Sequence, residues 1–357
     1  MIHLDSHESS RLSSPVMERI RLALTEKNPQ ASLDVLWDLV GADPTDTFSF
    51  TSSGAEAINQ VHWTAFLEIA RKEGKCHFLT SPVEDVATLQ SLKRLEELGC
   101  FVKIMPLGKS GRIDLAQLPS LITPRTALIS LSLAHPLTGV IQPVEEIVSL
   151  AHAAGALVHV DATHALGKLY APLGQSGADY LTFGGEGIHS VKGSGGVFAK
   201  KGRPLVPLIL GARSDPLALA ALATAASHAS LFFDQMGLEV ARLRDRLERG
   251  IIGANPLFQD SFRLPNVAVF SLPKVHQEAL QYLLKLKGIA ISIGGTTLPH
   301  LYRHLLQCGF DEHTARTACS LSLSRFTTQD DVDKAITVIQ AAIQSLLPLT
   351  EDLFHAE

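Results

Sequence analysis

Hydrophobic and polar positions switch repeatedly between two periods through the first two thirds of the chain. Thr47 to Thr51 reads as a short strand, and residues 54–71 follow with Ala57, Val61, Ala65 and Ile69 at helical spacing. His77 to Thr80 predicts a buried strand, residues 84–98 a helix, Phe101 to Met105 and Leu128 to Leu133 two more strands. Pro143 opens a helix that ends near Gly155, with proline in the first turn and glycine at the C-cap. Strands at Leu157 to Val160, Tyr180 to Phe183 and Gly196 to Lys200 complete the series. Strand–helix alternation of this kind predicts an α/β fold with a doubly wound, mostly parallel sheet.

The pattern changes after a long amphipathic helix over 232–249. Strands at Asn266 to Leu272, Ile289 to Ser292 and Leu321 to Ser324, with helices at 277–287 and 330–346, predict a smaller α+β lobe. Two lobes also suit a length of 357 residues. The expected division is a large domain over 12–240 and a small one formed by 1–11 with 241–357.

With 46% hydrophobic and 19% charged residues, the chain can bury a large core and is not disordered. A net charge of −5 and scattered Lys and Arg leave no basic footprint for nucleic acid. Cys76, Cys100, Cys308 and Cys319 form no CxxC pair and no metal spacing, so they read as free thiols of a reducing compartment. The N-terminus has no apolar signal core. The apolar run from Pro216 to Ala226 falls well short of the roughly 20 residues a membrane span needs. The expectation is a soluble, cytoplasmic protein without a membrane partner.

Two segments point to chemistry. In Phe50-Thr-Ser-Ser-Gly-Ala-Glu-Ala-Ile-Asn59 a strand runs through small residues into a helix, so free N–H groups and the positive helix end converge on one spot. Read by itself, Ser53-Gly54-Ala55 is either a plain cap or an anion cradle. In Leu157-Val-His-Val-Asp-Ala-Thr-His-Ala-Leu-Gly-Lys168, Asp161 closes a buried strand at the edge where open parallel sheets bind ligands. A strand-end cap is the alternative reading of Asp161, and a surface residue that of His164.

These segments resemble the class V aminotransferase and cysteine desulfurase family, whose Thr-Ser-Gly-(Gly/Ala)-Thr-Glu-Ala and His-x-Asp-Ala stretches they follow. Thr138-Gly-Val-Ile-Gln-Pro-Val-Glu-Glu-Ile147, Leu264-Pro-Asn-Val267 and Ser324-Arg-Phe-Thr-Thr-Gln-Asp330 match further family segments in order, and His3-Leu-Asp5 the N-terminal one. The resemblance implies the pyridoxal phosphate (PLP) fold type I and a homodimer. It also implies a phosphate cradle at Ser53, Gly54 and Ala55, Asp161 facing the pyridine nitrogen and His164 near the ring hydroxyl.

The departures are as systematic as the matches. Where the family reads Ser-Gly-His-Lys, this chain reads Gly184-Gly185-Glu186-Gly187, so the lysine that would form the Schiff base is a glycine. The family's phosphate-touching threonine is Ala55, its ring-stacking histidine falls on Asp85, and its asparagine on Pro136. The substrate-carboxylate arginine falls on Ser320. The loop from Gly288 to His300 lacks the sulfur-accepting cysteine. The resemblance thus implies a catalytically impaired, cysteine desulfurase-like protein that holds PLP, if at all, without a covalent bond. Such a protein would act as a binding, regulatory or partner subunit, including as a heteromer with an active homologue. The alternative is an active PLP-dependent transferase of altered mechanism that uses Lys192. A third reading is a small-molecule enzyme without PLP, its old pocket holding another anion near Ser52 to Ala55.

Overall fold

The main sheet contains β2 (Thr47–Thr51), β3 (His77–Thr80), β4 (Phe101–Ile104), β5 (Thr126–Ser132), β6 (Leu157–Asp161), β7 (Tyr180–Gly184) and β8 (Gly195–Ala199), with β1 (Ile2–His3) outside it. The structure is a computed structural model that describes residues 2–6, 11–26, 29, 31–170, 173–211, 214–295 and 298–354 (at 174 and 349–354, the backbone). Parts of the N-terminal motif and of the loop from Gly288 to His300 lie outside the described residues.

The strands run in the order β2-β8-β7-β6-β5-β3-β4. Every pairing is parallel except the two made by β8, with β2 and with β7. All seven residues of β5 are buried, as expected of a strand covered on both faces. Because only β8 is reversed in this sheet, the C-terminal ends of β2, β3, β5, β6 and β7 share one edge with the start of β8. That edge holds Ser53, Gly54, Asp161 and His164, the residues singled out from the sequence.

The covering helices are α1 (Ser14–Ala23), α2 (Asp34–Val40), α3 (Gly54–Ala65), α4 (Val86–Glu97), α5 (Val144–Ala153) and α6 (Pro216–Leu231). The helical spacing over 54–71 is realised as α3 followed by a wider turn at Phe66–Ala70, and the run stops at Gly74 with φ 72°. Helix α6 is the alanine-rich segment around the apolar run noted above. Eight of its alanine and leucine side chains are buried, and it packs against α1 and α2. Among the described residues, no single helix is long and apolar enough to cross a membrane.

The amphipathic stretch over 232–249 is broken by a wide turn at Met236–Val240 before α7 (Ala241–Gly250). Beyond it lie β9 (Asn255–Pro256), β10 (Val267–Ser271), α8 (Gln277–Leu286), β11 (Ile289–Ala290), α9 (Leu301–Gln307), β12 (Ala318–Ser322) and α10 (Gln329–Phe354). Strands β12, β10 and β9 form an antiparallel sheet, and β1 pairs in parallel with β11. A second apolar core gathers Leu4, Met236, Leu247, Phe270, Leu284, Leu321 and Ile339. The last strand begins three residues earlier than its apolar pattern indicates. Cys319 therefore lies inside it, opposite Phe270, rather than beside it.

Candidate active site

At the sheet edge, β2 turns through Ser52 and Ser53 into α3. Ser53 is the N-cap, and its Oγ accepts the Glu56 N–H at 3.1 Å. The Glu56 carboxylate reaches back and accepts both the Ser52 N–H, at 2.8 Å, and the Ser52 hydroxyl. The N–H groups of Gly54 and Ala55 have no partner among the described residues. Ala55 is exposed, so this pair of donors at a helix start can receive an anion. Gly54 sits in close packing: an added Cβ would lie 3.1 Å from Gly184 N and from Thr163 Oγ1, so those atoms would have to give slightly.

Asp161 ends β6 and is 3% exposed. Its Oδ1 accepts the hydroxyls of Thr163 and Thr182, each at 2.8 Å. Thr163 Oγ1 in turn accepts the Gly184 N–H at 3.0 Å, tying the Asp161 loop to the end of β7. Burial raises the Asp161 carboxyl above its usual range, against the pull of His164 and the Thr163 hydroxyl. His164 lies beside it, its Nε2 4.0 Å from Asp85 Oδ2. Asp85 is itself the N-cap of α4, accepting the Ala87 N–H at 2.8 Å. Asp85, where the resemblance puts the ring-stacking histidine, therefore caps a helix and lies near an imidazole.

Glu84 closes the same edge. Its carboxylate accepts the Ser81 hydroxyl at 2.6 Å, and the Ser132 N–H and hydroxyl at 2.7 and 2.5 Å. Burial pushes its pKa up to about 7 against those bonds.

Behind Asp161 runs a buried row of polar groups that no local motif announces. Thr182 Oγ1 lies 2.8 Å from His159 Nε2, and Ser130 Oγ lies 2.8 Å from both His159 Nδ1 and His62 Nε2. His62 Nδ1 meets Ser91 Oγ at 2.5 Å. Burial holds His62 down to about 3 and His159 well below its ordinary range, so both rings are neutral. The proton positions then follow link by link. An ionised Asp161 only accepts, so Thr182 donates to it and His159 must donate from Nε2. Neutral His159 accepts at Nδ1 from Ser130, which leaves Ser130 to accept from His62 Nε2. Ser91 completes the row by donating to His62 Nδ1.

The position at which the resemblance puts the Schiff-base lysine, Gly187, has no room for a side chain. Gly187 lies in a tight 3-10 turn, Gly185–Ile188, and an added Cβ would lie 2.2 Å from the Thr163 carbonyl oxygen. No side chain fits there unless the Asp161 loop moves. Lys192 is exposed on the turn into β8, whereas Lys168 lines a small cavity together with Gly187. Ser320, at the arginine position, is fully buried and donates to the Leu137 carbonyl at 2.6 Å. Burial pushes the Cys308 thiol up to about 12 and raises that of Cys319 as well, so neither is poised as a thiolate.

This sheet edge and its flanking helices define the PLP-dependent fold type I class. The chain belongs to the class-V aminotransferase family, whose model matches residues 17–232. It is 30% identical to a cysteine desulfurase of Cereibacter sphaeroides, over 98% of this chain and 97% of that one. It is 29% identical to the cysteine desulfurase NifS of Azotobacter vinelandii, over 97% and 93%. A solved NifS-like protein superposes with a TM-score of 0.88 at 27% identity, covering 97% of this chain and all of that one.

The family uses PLP, and the residues here fit that group in part. The open N–H pair at Gly54 and Ala55 suits its phosphate, and Asp161, with Oδ2 unbonded among the described residues, suits a protonated ring nitrogen. The covalent anchor does not fit, because the Thr163 carbonyl occupies the space of any side chain at 187.

Proposed function

We propose that this chain is a cysteine desulfurase-like binding protein that does not run the lysine-dependent chemistry of its family. The observation that carries the proposal is the 2.2 Å approach of the Thr163 oxygen to the missing Gly187 Cβ. A lysine lost by a single substitution would leave its space behind; here the Thr163 carbonyl occupies that space. The buried Ser320 and the protonated, enclosed thiols of Cys308 and Cys319 support the same reading.

In this reading a PLP-like phosphate is held noncovalently by Gly54 and Ala55, with Ser53 fixing the helix start and Asp161 and His164 facing the ring. The two units, 12–240 and 1–11 with 241–357, would close over it. The protein would work in the cytoplasm as a homodimer or as the partner of an active homologue.

The test is to incubate the purified chain with PLP, reduce with borohydride and map the peptides by mass spectrometry. The expected result is no covalent adduct and loss of the ligand on gel filtration. A stoichiometric adduct on any lysine ends this reading, and one on Lys192 restores the transferase alternative.

A further inference from the structure

Against the Gly185–Ile188 turn is a cavity lined by Lys168, Gly187, His189, Phe232, Ser324 and Arg325. It lies where the loop after β6, the end of α6 and the segment after β12 meet. Among the described residues, no acidic one lines it. Arg325 is 8% exposed, its guanidinium lies over the rings of Phe232 and Phe326, and its Nε has no hydrogen-bond partner. Lys168 is half-buried, and its Nζ donates to the His164 carbonyl at 3.0 Å. Neither cation meets a carboxylate among the described residues. His189 lies within reach of both charges, and its Nδ1 is already bonded to the Arg11 carbonyl at 2.8 Å.

Two partly desolvated cations that line one cavity without a carboxylate beside either are costly, and the cost falls when an anion enters. The surroundings supply what a weakly hydrated anion prefers: a guanidinium N–H, an ammonium and apolar walls from Ile188, Ala229 and Phe232. At about 20 Å³ the cavity admits an ion and excludes a cofactor. Desolvation lowers Lys168 to about 8 and Arg325 to about 10, the direction that a bound anion opposes.

We propose that this cavity is a halide-sized anion site, held by Arg325 and Lys168, that fastens the Gly185–Ile188 turn to the segment following β12. Its occupant is chloride or an ion of similar size. The inference is independent of whether PLP binds at the sheet edge.

The experiment measures the melting temperature of the full chain in sodium chloride against sodium gluconate at constant ionic strength. The expected result is a rise with chloride that follows ligand linkage and is absent in Arg325→Met and Lys168→Met. Arg325→Lys, which keeps the charge, should retain a weaker response if the methionine variants fail to fold. A crystal grown in bromide should show an anomalous peak between the two cations. The proposal falls if chloride and gluconate give the same melting temperature, or if bromide leaves the cavity without a peak.

Discussion

His62 and His159 stand edge to face with 5.6 Å between ring centres, and one hydroxyl serves both: Ser130 Oγ lies 2.8 Å from a nitrogen of each. Removing that hydroxyl orphans two buried ring nitrogens at once. Ser130→Ala is expected to cost roughly 2–4 kcal/mol in denaturant unfolding. Adding His62→Leu to it should cost less than the sum of the single changes, since the second removes a group that the first has already orphaned. Additive losses would show that the row does not act as a unit.

Gly187→Ala is expected to destabilise the protein by about 1–3 kcal/mol, because its methyl meets the Thr163 oxygen at 2.2 Å. Gly187→Lys should be at least as costly and should not bring back a borohydride-trapped PLP adduct. Circular dichroism melts and peptide mapping check the two halves. An adduct at a substituted residue 187 in a stable protein would mean that the Asp161 loop yields easily.

Acid should weaken the fold well before the surface carboxylates titrate. Burial lowers His62 and His304 to about 3, His189 to about 4, and His159 well below its ordinary 6.5. Groups with depressed folded values give stability that is present above their unfolded pKa and lost as pH falls below it. Glu84, raised to about 7, and Asp161, also raised, act the other way: their contribution is full at low pH and lost as pH rises. Four histidines outweigh two carboxyls near pH 5.5, so unfolding takes up protons there. The melting temperature should fall between pH 7 and 5, and His62→Leu should flatten that slope.

Arg263 and Glu248 form a pair at 2.8 Å with side chains 7% and 5% exposed, joining α7 to the segment that bridges Val140. Replacing one partner alone, as in Glu248→Gln, is expected to cost about 3–5 kcal/mol. Arg263→Met with Glu248→Leu should recover most of it, because no buried charge is then left alone. Equilibrium unfolding of the three variants gives the comparison.

The architecture was legible because periodicity reports local facts. Strands at Thr47–Thr51 and His77–Thr80 fall where alternation and apolar runs place them. The reversal of β8 was not legible: its five buried residues look the same in either direction. Helix α6 was passed over because its small side chains are buried on nearly every face and give little amphipathic contrast. Asp161 and the Ser53 helix start were readable from short motifs. The row through Thr182, His159, Ser130 and His62 was not, since its members come from three strands and a helix and meet only in the folded sheet. Lys192 drew notice by its place in the glycine-rich turn, yet Lys168 shares the cavity with Gly187. Sequence distance along a loop says nothing about which lysine the loop folds over.

The same row of hydroxyls and imidazoles admits a second, opposite sense. If Asp161 gains a proton it can donate to Thr182; every later link then turns round, and Ser91 releases His62 to donate to the Thr88 carbonyl, 3.1 Å away in α4. One proton arriving at the sheet edge is thus registered at a helix on the far side of β5 without any intervening group becoming charged. Whether the edge holds a cationic or a neutral ligand would then be written in which nitrogen of His62 carries hydrogen.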